Sequence, residues 1–237
     1  MLLLSGLLKF YKPMTASLIF DKANACANQI KHRFSQTGTI EKFTLDDVHG
    51  IDDTEFTSIK YRKAHISIVD ARETKKLWLL HVTVFPHTND SSPIFGFDIV
   101  AGPNKVSGAF HDFSVAGDSS HPMLEWFANQ TIMLSWNKKR ELPDWAKNIF
   151  SDSMVAIGAV GPDELDNFIN LGLTTLDYYL DNVGIARDNQ SNYSAEQNRY
   201  CYYQKQNPHT PRVLVNLGFT EEEARRFVED QLFPEVI

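Results

Sequence analysis

The stretch from His81 to Ser114, HVTVFPHTNDSSPIFGFDIVAGPNKVSGAFHDFS, decides how the chain is read. Turn signals at Asn89-Asp90-Ser91-Ser92-Pro93 and Ala101-Gly102-Pro103-Asn104-Lys105 divide it into three strands. Side chains alternate along a strand, so Phe95, Phe97 and Ile99 share one face and Ile94, Gly96, Asp98 and Val100 the other. In the strand before, Trp78, Leu80, Val82 and Val84 take one face, which leaves Leu79, His81 and Thr83 on the opposite one. A carboxylate and an imidazole on buried neighbouring strands are costly without partners. Asp98 and His81 are therefore either satisfied structural residues or parts of a catalytic site, and the alternation alone leaves both readings open.

Upstream, residues 15–34 carry Ile19, Ala23, Cys26, Ala27, Ile30 and Phe34 at helical spacing. A polar stretch around Gly38 follows. Asp46-Asp47-Val48-His49-Gly50-Ile51-Asp52-Asp53 then reads as a solvated acidic loop, without the ligand pattern of a calcium loop. Residues 55–71 alternate strongly enough for one long strand or a hairpin, with His65, Ser67 and Val69 on alternate positions. Strands are expected near 77–86, 93–101 and 105–114, and their short connections imply antiparallel neighbours.

Downstream, a helix is expected from Pro122, and Arg140-Glu141-Leu142-Pro143-Asp144-Trp145 leads into a short helix with Pro143 near its start. Residues 154–159 read as a last strand. Pro162-Asp163-Glu164 opens a helix striped by Leu165, Phe168, Ile169, Leu173, Leu176 and Leu180, which Gly184 closes. Another helix spans about 194–206 until Asn207-Pro208-His209-Thr210-Pro211 breaks it, and a third begins at a capping box of Thr220 and Glu223. The expected fold is α/β, a three-layer α/β/α sandwich with a largely antiparallel central sheet. Residues 1–13 are expected to be a flexible N-terminal extension and 14–237 a single domain.

Composition narrows the function classes. With 43% hydrophobic and 22% charged residues, the 237-residue chain has the make-up of a soluble protein. A net charge of −7 argues against general nucleic-acid binding, and the apolar start is too short to span a bilayer. Positive charge is nonetheless clustered at Lys60-Tyr61-Arg62-Lys63, Lys75-Lys76, Lys138-Lys139-Arg140 and Arg225-Arg226, as solvated surface or as a docking face for an acidic protein. Two isolated cysteines, Cys26 and Cys201, fit a reducing cytoplasm, and neither they nor the eight histidines form a metal-ligand motif. No metal site and no glycine-rich nucleotide loop is expected.

The wording of several blocks resembles one family. These are His65-Ile66-Ser67-Ile68, Leu80 to Pro86, Pro93 to Ser114, Arg140-Glu141-Leu142-Pro143-Asp144-Trp145 and Tyr200 to Leu214, in that order. Together they are similar to the ferredoxin-dependent bilin reductases, in particular the phycocyanobilin:ferredoxin oxidoreductase branch with its phage-borne, phycoerythrobilin-forming members. The resemblance implies an enzyme that reduces biliverdin IXα or a dihydrobiliverdin by single electrons and protons, through bilin radicals. It holds no cofactor of its own, and its electrons come from a reduced, acidic [2Fe-2S] ferredoxin. The resemblance makes Asp98 and His81 the proton donors and His65 the support of His81. Ser107 and Arg140 fall to the substrate propionates, and Ser67, Asn207, His209 and Arg212 also fall on its substrate-binding positions.

Two departures from the family pattern matter. The phycocyanobilin-forming members carry Glu where this chain has Ser67, and an Asn-Asp-Lys run where it has Asn207-Pro208-His209. With no acid at position 67, the expected product is phycoerythrobilin, formed by a four-electron route through 15,16-dihydrobiliverdin. The alternatives are phycocyanobilin formation, a non-catalytic bilin carrier or attachment chaperone, and an α/β/α domain with another small-molecule pocket. Chemistry favours the enzyme. Covering Asp98 with a flat apolar tetrapyrrole favours its neutral, proton-donating form, and imidazoles ordinarily titrate near neutral pH.

Overall fold

A computed structural model describes residues 17–236 of the chain. The expected extension over residues 1–13 lies outside the described residues. The first helix, α1 (Leu18–Thr37), starts where the Ser17 hydroxyl accepts the Phe20 amide, and it buries Ala23, Cys26, Ala27, Ile30 and Phe34. Seven strands follow in one antiparallel sheet, laid side by side in sequence order. They are β1 (Thr39–Asp46), β2 (Ile51–Thr57), β3 (Tyr61–Ala71), β4 (Leu77–Pro86), β5 (Ile94–Ala101), β6 (Val106–Ser114) and β7 (Val155–Ile157). Residues 55–71 are thus a hairpin rather than one strand.

The sheet separates two cores. Trp78, Leu80, Val82, Phe95, Phe97, Ile99 and Phe113 face α1, α2 (Pro122–Thr131) and α3 (Pro162–Asn182). Where α3 crosses β5, a Cβ on Gly172 would collide with the Phe97 ring, so only glycine allows this approach. Val69, Phe85 and Ile94 face the other way, against α4 (Ser194–Gln204), α5 (His209–Leu217), α6 (Glu221–Arg226) and a π-helical turn over Phe227–Leu232. The three-layer expectation holds.

Several boundaries moved, each for a physical reason. β1 has no buried face: every residue from Thr39 to Leu45 is exposed, so the polar stretch after Gly38 shows no alternation to read. The acidic run is no plain loop either. Asp46 accepts the Val48 and His49 amides, Gly50 turns at φ +71°, and Ile51–Asp53 begin β2. The segment at Asn207–Pro211 breaks one helix but starts another, because Pro208 and Pro211 stand in a first turn, where no amide is needed. The short helix after Pro143 is a single 3-10 turn at Ala146–Asn148, and the last strand shrinks to three residues.

One core residue ties stability to pH. His111 is buried among Phe95, Phe97, Phe113 and Phe127, and that burial pushes its pKa down to about 4. Its Nδ1–H donates to the Gly96 carbonyl at 2.7 Å, and the Thr175 hydroxyl lies 2.6 Å from Nε2. The unfolded chain takes a proton near 6.5 and the folded chain only near 4, so the unfolded state binds more protons in between. Stability from this residue is therefore complete above about pH 6.5 and falls by on the order of 3 kcal/mol as pH drops to 4. Asp112 beside it, pushed up by burial to about 6, acts in the opposite sense over an overlapping range, so substitution must separate the two. Urea unfolding of wild type and His111→Phe is expected to show a stability difference that shrinks on acidification; a constant difference would contradict the assignment.

Candidate active site

Strand pairing lines up the side chains on the sheet face turned toward α4–α6. One rung runs Asp53, Ser67, His81, Asp98 and Phe110, and the next runs Glu55, His65, Thr83, Gly96 and Asp112. Directly opposed side chains on one face are neighbours. Over the Ser67–His81–Asp98 part of the first rung lies a cavity of about 350 Å³, with Val69, Leu79 and Val100 in its floor and Leu214, Phe227 and Phe233 on the helical side. An adjoining cavity of about 430 Å³ shares Asp98, Phe110, Arg140, Gln204, Asn207 and His209 and reaches Trp145 and Phe150. The result is a long slot with apolar walls and few polar groups, the form suited to a flat apolar ligand with charged ends.

At the centre of the slot, His81 Nδ1 and Asp98 Oδ1 are 2.6 Å apart, and the Thr83 hydroxyl lies 2.8 Å from His81 Nε2. A proton between ring and carboxyl can pass over that short distance without any movement of the backbone. Both side chains stay within reach of a ligand, at 20% and 36% exposure, while the Phe233 ring stands edge-on to the imidazole at 5.5 Å. His65 behaves differently. It is fully buried, its Nε2 lies 2.8 Å from Asp53 Oδ1, and its ring centre is 6.0 Å from that of His81.

Among the residues expected to bind substrate, Ser67, Ser107, Arg140, Asn207 and His209 all line the slot. The Ser107 hydroxyl donates to the Val100 carbonyl at 3.1 Å, and the Arg140 guanidinium lies over the Phe110 ring at 5.5 Å. Arg212 does not join them: it is exposed on α5, whose Thr210, Val213 and Leu214 turn to the slot instead. Asp112 shapes the far wall from beneath, since its carboxylate accepts the Ser151 amide and hydroxyl and pins the segment next to Phe150. Among the described residues, no His, Cys, Asp and Glu side chains are grouped to hold a metal ion.

A family model for ferredoxin-dependent bilin reductases matches residues 22–234. The chain belongs to that family. It is accordingly an oxidoreductase of the bilin-reducing, ferredoxin-dependent kind. A phycocyanobilin:ferredoxin oxidoreductase of Prochlorococcus marinus is 32% identical over 214 residues, 87% of this chain and 82% of the relative. One from a Synechococcus species is 34% identical over 185 residues, covering 75% and 73%. A solved structure named PcyX superposes with TM-score 0.67 at 26% identity, over 91% of this chain and 99% of that one. The biliverdin complex of tomato phytochromobilin synthase shares the fold, at TM-score 0.62 and 14% identity over 90% and 82%.

For this bilin reductase, several residues in and behind the slot were not singled out in the sequence. Thr83 stands two positions after His81, on the same face, so the alternation already carried it. Gln204, whose amide donates to the Tyr200 hydroxyl at 2.8 Å, and Phe233 come from helical segments far along the chain, and no local signal pairs them with the sheet. Asp53 was hidden in an acidic run that reads as surface.

Proposed function

We propose that the chain reduces biliverdin IXα, or a dihydrobiliverdin, through bilin radicals, with protons supplied by Asp98 and His81. The observation that carries this reading is the short Asp98–His81 contact at the floor of a slot with apolar walls. Simple binding needs neither group; proton delivery to a flat substrate needs both. The ligand itself carries the electrons, and the protein contributes position and protons. Arg140 and Ser107, neighbours in the slot wall, are suited to a propionate, by a charge-assisted bond and by a hydroxyl that turns from the Val100 carbonyl to donate. Asn207, His209 and Ser67 offer the other polar contacts, and Arg212, being outside the slot, serves at most its rim. The favoured product is phycoerythrobilin, by way of 15,16-dihydrobiliverdin. Two free, buried thiols, Cys26 and Cys201, support a reducing cytoplasm as the setting. Titration separates enzyme from carrier: the biliverdin complex is expected to oxidise four equivalents of reduced one-electron ferredoxin, whereas a carrier would oxidise none.

The electron donor is expected to be an acidic [2Fe-2S] ferredoxin that lands on exposed basic residues near the slot. Lys75 and Lys76 at the β3–β4 turn, and Lys138 and Lys139 beside Arg140, are exposed. At about 0.15 M salt such charges are already screened beyond ~8 Å, so reduction should slow further as salt is added. Glutamate in place of Lys138 and Lys139 should slow reduction several-fold while biliverdin still binds. Stopped-flow rates that ignore both salt and charge reversal would refute this docking face.

A further inference from the structure

One strand beyond Ser67 stands a carboxylate with no role in the account so far. Asp53 on β2 faces Ser67 across the ladder and is only 4% exposed. Its Oδ1 lies 2.8 Å from His65 Nε2. Burial works to raise the Asp53 pKa, but the hydrogen bond and charge of His65, the Ser67 hydroxyl and the Lys63 charge outweigh it and hold the carboxyl below its usual range. Burial in turn lowers the pKa of His65 against the pull of Asp53. The pair therefore rests as carboxylate and neutral imidazole, with the ring proton on Nε2. His65 Nδ1 is then a bare acceptor, buried and without a hydrogen-bond partner.

We infer that Asp53 is a positioning residue for bilin reduction: it fixes the tautomer of His65, with the proton on Nε2 and Nδ1 bare, and so sets the ring that stands 6.0 Å from the His81 ring. This rests on the function proposed above. A free imidazole exchanges between tautomers, and a carboxylate on one nitrogen settles which nitrogen is open. A carboxylate behind a catalytic imidazole does the same in hydrolase triads, where it orients the ring and stabilises its charged form. The charged groups around the pair are Lys63 on the same strand, Glu55, which meets Lys63 Nζ at 2.6 Å, and His81. On this account the chain has its additional carboxylate one strand away from Ser67, where it serves an imidazole and not the substrate.

Two measurements test the inference. Nitrogen NMR of the wild-type protein, labelled at histidine, reads the His65 tautomer without any need for activity. A proton on Nε2 is expected, and one on Nδ1 would overturn the proposal. Asp53→Asn is then expected to bind biliverdin as wild type does, to reduce it about tenfold more slowly or worse, and to shift the pH–rate profile. Asp53→Glu should recover part of the rate, and it carries the comparison if the Asn variant does not fold. Wild-type rate and profile in these variants would overturn the inference. A wild-type protein that never reduces biliverdin would instead strike the proposed function, and the tautomer then decides alone what Asp53 does to His65.

Discussion

Asp98→Asn is expected to bind biliverdin and fail to reduce it, with turnover lower by at least about a hundredfold. The amide has nearly the shape of the carboxyl, so the slot keeps its walls and the ligand its place. What disappears is the carboxyl group whose Oδ1 lies 2.6 Å from His81 Nδ1, and with it the means of handing on a proton there. An amide also turns a donor or a poorer acceptor toward the imidazole, which disturbs the tautomer that the Thr83 hydroxyl meets at Nε2. Electrons can still arrive from ferredoxin, so the reaction should stop after the first one. Electron paramagnetic resonance of the variant, mixed with biliverdin and reduced ferredoxin, is expected to show an accumulating bilin radical. Normal turnover would remove Asp98 from the mechanism.

Product identity is expected to follow from Ser67. Its Cα pairs with His81, so its side chain sits in the rung beside His81 and Asp98 and lines the slot. The phycocyanobilin-forming pattern has Glu at this position, where a carboxylic acid can protonate the vinyl group of the D-ring. A serine hydroxyl is too weak an acid for that step. The carboxylate across the ladder, Asp53, is buried and engaged with His65, so it does not reach over the substrate in its place. The D-ring vinyl should survive, and phycoerythrobilin should form. Chromatography against both standards distinguishes the isomers: phycocyanobilin from the wild-type protein would refute the argument. Ser67→Glu should bring new reduction at the vinyl group.

The sheet was legible wherever one face of a strand is buried. In β4 and β5 the alternation of Trp78, Leu80 and Val82, and of Phe95, Phe97 and Ile99, put His81 and Asp98 on a common face, and the pairing brings them into contact. β1 could not be read the same way, because a strand exposed on both faces has no period to detect. Residues joined across long separations were equally silent: Phe233 reaches His81 from the far end of the chain, and Asp53 finds His65 only through the β2–β3 register. The resemblance supplied Ser107 and Arg140, which no periodicity marks. It also supplied Arg212, which the fold leaves exposed on the outer side of α5.

The central claim is that the slot over Asp98 and His81 binds a bilin and reduces it. Absorption spectroscopy of the wild-type protein with biliverdin, taken without oxygen before and after reduced ferredoxin is added, tests it most directly. The account predicts a shifted, sharpened band on binding, then passage through a transient radical absorption to a shorter-wavelength product, as conjugation is lost. A bound spectrum that stays unchanged after ferredoxin would contradict it.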